Sequence, residues 1–209
     1  MTTTAPITFG STDDSEEIAR AELYGLLAQL WLGPPSEALL QQFRLAVTEA
    51  PQPGGWLEGP WQDLVAALRA TTAAEAAAEF TALFLGVGKP EVFAYASFHL
   101  TGSLNEKPLA TLREDLATLG LARDEQMLET EDHIAYLFEV MRYLIAGDDI
   151  GVCNLEQQRR FFRQHLQPWV GQLCDTTAAH PRAQVWRAVA GFSAAFIDVE
   201  TQAFDLLEI

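Results

Sequence analysis

The sequence predicts an all-α protein, a single globular, bundle-like fold of about nine or ten helices in two halves. Apolar residues recur at helical spacing along most of the chain. Ser, Thr, Pro and Gly stand where such segments begin and end. No segment alternates apolar and polar residues with the period of a strand. An apolar fraction of 49% in 209 residues is enough to fill the core of such a fold.

The first half, residues 14–124, follows a Thr-rich segment, residues 1–13, that lacks apolar periodicity and is predicted to be flexible. An amphipathic helix comes first and ends at Gly33-Pro34-Pro35. Ser36 is suited to cap the second helix. A short third helix precedes Thr72-x-x-Glu75, which has the form of a capping box and starts an Ala-rich fourth helix.

The middle of the chain is predicted to be less regular. Residues 86–96 look like a loop, and residues 97–101 like a short helical turn. Pro108 fits the first position of a helix that Gly120 would end. The charged connector, residues 122–130, is a candidate hinge between the two halves.

The second half, residues 125–209, starts with the motif at the hinge and continues with apolar helices. These helices are predicted at about 131–146, at about 155–167, after Pro168 and from Pro181. The last one carries its apolar residues on one long stripe.

The charge of the chain limits its partners. Lys and Arg total 13 against 29 Asp and Glu, a net charge of −16. Such a chain repels phosphate backbones and anionic membranes, so we expect no nucleic acid as partner and no stable membrane insertion. The N-terminus has no secretory signal, and Cys153 and Cys174 form no metal or disulfide pattern, which favours a cytoplasmic location. A basic partner would be attracted.

The densest polar cluster is Glu129-Thr130-Glu131-Asp132-His133, directly before an apolar helix. Carboxylates at a helix start satisfy free backbone N–H groups and the helix dipole, and need no ligand. A metalloenzyme site using Glu129 and His133, with Asp198 or Glu200, is the competing interpretation. Because helical di-metal sites need two Glu-x-x-His segments, which are absent, we predict no metal and no cofactor.

Catalysis has no support elsewhere in the sequence. There is no G-x-S-x-G elbow, no P-loop and no dinucleotide fingerprint. The aromatic-rich stretch, residues 80–102, either fills the core or lines a groove for a ligand. A generic domain that binds an amphipathic helix therefore remains a third interpretation.

Several short motifs, in order, give the chain its resemblance to a known family. They are Arg20-x-x-x-Tyr24-x-x-Leu27, Phe80-x-x-Leu83-Phe84-x-Gly86, Tyr95-Ala96-Ser97, Glu129-x-x-Asp132-His133-Ile134-Ala135 and Gln158-x-x-Phe161-Phe162-x-x-His165-Leu166-x-Pro168-Trp169. With these motifs the chain resembles the redox-enzyme maturation chaperones of the TorD/DmsD/NarJ type. One departure is Thr130, where the family usually has Pro.

The resemblance implies a chaperone, not an enzyme, that binds the N-terminal leader of its client, often a twin-arginine signal peptide. The partner would be the apo catalytic subunit of a molybdenum or tungsten oxidoreductase, with proteins of molybdenum-cofactor synthesis as further candidates. The oligomeric state, either a monomer or a domain-swapped dimer, stays open, and so does the binding of nucleotide. The implied peptide-binding residues are Leu83, Phe84, Tyr95, Ser97, Glu129, Asp132 and His133.

The size of each contribution to the binding free energy indicates which residues would provide affinity and which would provide selectivity. Two exposed ion pairs supply about 0–1 kcal/mol each, whereas a micromolar complex needs about 8 kcal/mol. Apolar burial has to provide most of the difference. We therefore expect Phe84 and Tyr95 to supply affinity, and Glu129 and Asp132 to supply orientation and selectivity. Whether His133 is structural or touches the client stays open.

Overall fold

A computed structural model describes residues 12–46, 54–86, 88–124 and 126–206. Within these ranges the chain forms ten α-helices and no β-strand, which confirms the predicted all-α class. The helices are α1 (Thr12–Leu32), α2 (Glu37–Leu45), α3 (Glu58–Ala70), α4 (Ala73–Phe80), α5 (Ala96–Thr101), α6 (Lys107–Thr118), α7 (Ile134–Ala146), α8 (Leu155–His165), α9 (Val170–Ala179) and α10 (Val185–Leu206). The predicted flexible segment, residues 1–13, lies outside the described residues except for Thr12 and Asp13, which begin α1.

Helix starts that depend on local capping lie where they were predicted. Ser36 Oγ accepts a hydrogen bond from the backbone N–H of Leu39 at 3.2 Å and caps α2. Thr72 and Glu75 form the full capping box of α4. Beyond Phe80 this helix continues as a π-helical turn, Thr81–Leu85.

Three predicted helix starts are wrong by one to four residues. The helix predicted from residue 131 begins at Ile134, because the preceding residues pair with another segment of the chain. The last helix begins at Val185 rather than at Pro181, because its first N–H groups are bound by a distant carboxylate. Pro108 is the second residue of α6, not the first.

A single core joins the two predicted halves of the chain. Tyr24 on α1 contacts the ring of Phe138 on α7 at 5.7 Å and that of Phe196 on α10 at 4.8 Å between centroids. On α3, Trp61 contacts Phe192 of α10 at 5.3 Å. These contacts connect residues 14–124 with residues 125–209. That the two halves move about a hinge at residues 122–130 stays a prediction. No helix in the described part of the chain is long and apolar enough to cross a bilayer.

Glu79 of α4 supplies the cap of α10. Its carboxylate accepts hydrogen bonds from the backbone N–H groups of Gln184, Val185 and Trp186 at 2.8, 3.1 and 2.9 Å. These are among the N–H groups that a helix leaves without a partner in its first turn. The negative charge also faces the positive end of the helix dipole.

We expect Glu79→Ala to lower the free energy of unfolding by about 1–2 kcal/mol, the usual cost of losing a helix cap. Urea titration followed by circular dichroism measures this change. Glu75→Ala removes the capping box of the shorter α4 and serves as a comparison. If Glu79→Ala unfolds at the same urea concentration as the unchanged protein, the cap of α10 contributes nothing.

Candidate functional site

An isolated antiparallel bridge between Tyr95 and His133 organises the candidate site. The backbone N–H of Ala96 donates to the carbonyl of Asp132 at 3.0 Å, and that of Ile134 donates to Ala94 at 2.9 Å. Two loops that are far apart in the sequence therefore run side by side, at the starts of α5 and α7. Five of the seven predicted site residues meet here, namely Tyr95, Ser97, Glu129, Asp132 and His133.

Asp132 is a buried carboxylate held by neutral donors. Its side chain accepts hydrogen bonds from the Ser97 backbone N–H at 2.9 Å, the Ser97 hydroxyl at 2.5 Å and the Thr130 hydroxyl at 2.6 Å. The residue is only 1% exposed. No Lys, Arg or His of the described residues forms an ion pair with it. A buried charge without a directly bonded cation is costly, which marks this carboxylate as unusual even though the charge of Arg113 acts on it from a distance.

Glu129 is bound by the neighbouring aromatic side chain. The Tyr95 hydroxyl donates a short hydrogen bond to the Glu129 carboxylate. Burial, this hydrogen bond and the nearby negative charge all raise the pKa of Tyr95, so its hydroxyl stays protonated and remains a donor. Tyr95 thereby fixes the position of Glu129 beside Asp132.

His133 is the N-cap of α7. Its Nδ1 accepts a hydrogen bond from the backbone N–H of Ala135 at 3.3 Å, and its ring meets that of Tyr95 edge-on at 5.0 Å between centroids. Burial lowers the pKa of His133 to about 4, against the pull of Glu129 and Asp132. The imidazole is therefore neutral at pH 7 and caps α7, while a contact to the client stays a prediction.

Leu83 and Phe84 belong to a different group of side chains. Leu83 is fully buried, and its carbonyl accepts hydrogen bonds from the N–H groups of Glu91 and Val92 at 3.0 and 2.9 Å. The Phe84 ring packs against those of Trp31, Phe80 and Trp186, with centroids 5.7, 5.1 and 5.9 Å away. Among the described residues, no hydrogen bond or ring contact joins Leu83 or Phe84 to the Tyr95–His133 bridge. Their part in peptide binding stays a prediction.

A cleft of about 300 Å³ opens beside Asp132. Its walls come from α5, α6, α7 and α8, and its lining is mainly apolar. The lining residues are Ala96, Leu100, Thr101, Lys107, Pro108, Thr111, Leu112, Asp132, Leu137, Gln164 and His165. Of the seven predicted site residues, only Asp132 lines this cleft. Leu100 and Lys107 carried no sequence signal, because helical periodicity does not say which exposed positions of two separate helices face each other.

Polar contacts hold α6, one wall of the cleft, against α8. The Asp115 carboxylate is bonded by His165 Nε2 and Gln164 Nε2, both at 2.8 Å, and by Arg160 Nη2 at 3.1 Å. Burial lowers the pKa of His165, although Asp115 opposes that shift. On the other side of α6, Arg113 forms a two-point ion pair with Glu131 at 2.8 and 3.0 Å. These bonds hold α6 in place relative to α8 and to the segment before α7, which form other walls of the cleft.

The residues of the metalloenzyme interpretation are not assembled into a donor set. Glu129 and His133 both precede α7, so the helical spacing that would place them on one face does not apply. Glu200 is occupied by Arg20, whose Nε and Nη2 donate to its two carboxylate oxygens at 2.9 and 2.8 Å. In the described ranges, no group of three or more His, Cys, Asp or Glu side chains is placed to hold a metal ion.

A family model described as the nitrate reductase delta subunit matches residues 55–175. This chain belongs to that family. The match covers more than half of the chain and includes every helix that lines the cleft, α5 to α8. The resemblance to the TorD/DmsD/NarJ-type chaperones is thereby confirmed.

Similar curated proteins carry the name Chaperone protein TorD. The one from Vibrio cholerae serotype O1 is 28% identical over 204 residues, which cover 90% of this chain and 93% of the relative. The one from Vibrio atlanticus is 32% identical over 106 residues, 46% of this chain and 48% of the relative. The one from Actinobacillus pleuropneumoniae serotype 3 is 31% identical over 104 residues, half of each chain. These names agree with the expectation of a chaperone rather than an enzyme.

Proposed function

We propose that this chain is a cytoplasmic chaperone for the catalytic subunit of a molybdenum or tungsten oxidoreductase. It binds the N-terminal leader of the apo subunit, often a twin-arginine leader, and holds it until the cofactor is inserted. Membership of the nitrate reductase delta subunit family and the TorD relatives support the chaperone role. Leader binding rests on the resemblance and on the chemistry of the cleft.

The observation that carries the proposal is the buried carboxylate of Asp132 at the wall of an apolar cleft. An ionised carboxylate has about four acceptor positions, and Ser97 and Thr130 use three of them. A guanidinium or ammonium from the client supplies the missing counter-charge. Glu129 and the overall charge of −16 draw the basic start of a leader toward the same place.

Apolar contact supplies most of the affinity. A micromolar complex needs about 8 kcal/mol, and one ion pair to Asp132 provides only part of it. At about 25 cal/mol per Å², the remainder requires a few hundred Å² of apolar surface before ordering costs. Leu100, which is 42% exposed, offers apolar surface to a leader segment, whereas Leu112 and Leu137 line the cleft as almost fully buried side chains, so much of the buried area has to come from the leader itself. Leu83 and Phe84, both predicted contacts, would extend it only if the client reaches beyond the cleft.

Leu100→Glu tests the cleft. Leu100 is 42% exposed, so the substitution leaves the fold intact while placing a charge in the apolar lining. We expect it to weaken binding of the client's leader peptide by about tenfold or more in calorimetry, as burial of an unpaired carboxylate requires. The matched control is Leu104→Glu, because Leu104 is 41% exposed and lies outside the lining. Equal affinities for the two variants would place the binding site elsewhere.

Affinity purification from the native host tests the choice of client. We expect an immature molybdenum or tungsten oxidoreductase subunit among the captured proteins, and expect Leu100→Glu to lose it. Capture that survives Leu100→Glu and contains no such enzyme would contradict the proposal. It would favour the generic domain that binds amphipathic helices.

A further inference from the structure

Lys107 stands out among the cations of the chain. It is one of only two lysines in the sequence, and it is exposed at the lining of the cleft. The other lysine, Lys89, lies over the ring of Phe93 at 5.7 Å. Among the described residues, Lys107 forms no ion pair, although the chain carries 29 carboxylates. Between described residues, arginines form such pairs at six positions, Arg20, Arg44, Arg113, Arg142, Arg160 and Arg163.

The position of Lys107 in its helix makes the absence of an ion pair more unusual. Lys107 is the first residue of α6. The N-terminus of a helix carries a partial positive charge, so a cation there is unfavourable while an anion is favourable. An anionic group that entered the cleft would meet the ammonium and the positive end of α6 together. Within the described ranges of the chain, no side-chain anion bonds to Lys107.

The cleft therefore presents two charges of opposite sign. Asp132 supplies a buried carboxylate, and Lys107 supplies an exposed ammonium. The other lining side chains are mostly apolar. Both charged side chains belong to the lining of this one cleft of about 300 Å³. Groups that meet both charges must accordingly be separated by a short apolar stretch.

We propose that Lys107 is a specificity-determining residue, which selects leaders that carry an acidic side chain a few residues after the basic and apolar segment. This inference rests on the proposed function, since it concerns the ligand of the same cleft. The basic residue pairs with Asp132, the apolar residues fill the cleft, and the acidic residue pairs with Lys107. Leaders with a neutral or basic residue at that position bind more weakly.

Three synthetic peptides test the proposal. Each has two arginines and three leucines, followed by Glu, Gln or Lys at the selected position. By fluorescence anisotropy, we expect the full-length protein to bind the Glu peptide about fivefold more tightly than the Gln peptide, as a partly exposed ion pair allows. The Lys peptide is expected to bind most weakly. Lys107→Gln is expected to remove the difference between the Glu and Gln peptides, and Lys107→Glu to make the Lys peptide the preferred one.

The control variant is Lys89→Gln, which removes the other lysine outside the cleft lining and is expected to keep the original order of affinities. If Lys107→Gln keeps the preference for the Glu peptide, the proposal is overturned while leader binding stands. If the unchanged protein binds all three peptides equally, Lys107 has no selective role. If it binds none of them, the proposed leader-binding function fails, and the role of Lys107 fails with it.

Discussion

Replacing Glu200 by Ala is expected to lower the free energy of unfolding by about 3 kcal/mol, within the range for breaking a buried ion pair. Glu200 is 2% exposed and accepts two hydrogen bonds from Arg20, at 2.9 and 2.8 Å, and one from the Tyr24 hydroxyl at 2.9 Å. The substitution leaves a partly buried guanidinium and a fully buried hydroxyl without their main acceptor. Urea denaturation at pH 7 measures the loss.

The Arg20–Glu200 ion pair has consequences for several helices at once. Arg20 also donates to Gln158 at 3.3 Å, and Gln158 donates to the carbonyl of Leu144 at 3.2 Å. Through these bonds α1 is tied to α10, α8 and α7. We therefore expect Glu200→Ala to loosen the bundle as a whole, visible as faster amide hydrogen exchange in all four helices.

Two controls separate this effect from a general effect of charge. Asp205 lies on the same helix, is paired with Arg163 at 2.8 Å and has a side chain that is 60% exposed, so Asp205→Ala is expected to change the stability by less than about 1 kcal/mol. The double variant Arg20→Met/Glu200→Leu removes both charges and is expected to recover much of the loss. A loss from Glu200→Ala no larger than that from Asp205→Ala would contradict the proposed role of the pair.

The local part of this fold was predictable because it depends on residues close in sequence. The cap at Ser36 and the capping box of Thr72 and Glu75 each need only three or four adjacent residues. Gly86 was predictable as a helix end for a similar reason. It has a φ of +60°, and a Cβ there would lie 2.1 Å from the carbonyl oxygen of Lys89.

Contacts between distant residues could not be predicted in this way. Helical patterning placed the start of α7 at residue 131, whereas residues 131 and 132 form a turn and the bridge to Tyr95 keeps His133 extended. The motifs of the resemblance lie in the two loops that meet at the bridge, but the cleft formed by α5, α6, α7 and α8 depends on how the helices pack against each other. Phe84 shows the same limit, because nothing local indicates that its ring packs against Trp186, about 100 residues away.

The stability of the protein is expected to fall as the pH drops from 7 to 5, partly because of His133. An unfolded chain binds a proton at His133 near pH 6.5, whereas burial lowers the pKa in the folded state to about 4. Between these values the unfolded state binds more protons than the folded one, so acidification favours unfolding. The pKa of His133 differs by about 2.5 between the unfolded and the folded chain, which lowers the free energy of unfolding by about 3 kcal/mol in total. About 2 kcal/mol of this loss falls between pH 7 and pH 5.

His133→Asn isolates this contribution. Asn also caps helices well, so α7 keeps its start while the titrating group is removed. We compare the free energies of unfolding at pH 7 and pH 5 within each protein, which cancels any fixed cost of the substitution. The drop is expected to be about 2 kcal/mol smaller in His133→Asn, while the lowered pKa of His165 and His99 keeps part of the drop in both proteins.

The carboxylate of Glu131, two residues before His133, does not interfere with this comparison in the chosen range. Burial by itself would raise the pKa of Glu131, but the hydrogen bonds from Arg113 and the backbone and the charges of Arg113 and Arg123 together lower it. Its contribution to stability is present above the pKa of the unfolded chain and is lost only as the pH falls below that value, near 4.5. The His133 resonance in an NMR titration gives a second measurement, since it is expected to stay that of a neutral ring down to pH 5. Equal pH dependence in both proteins, or a charged ring at pH 6, would contradict the structural role assigned to His133.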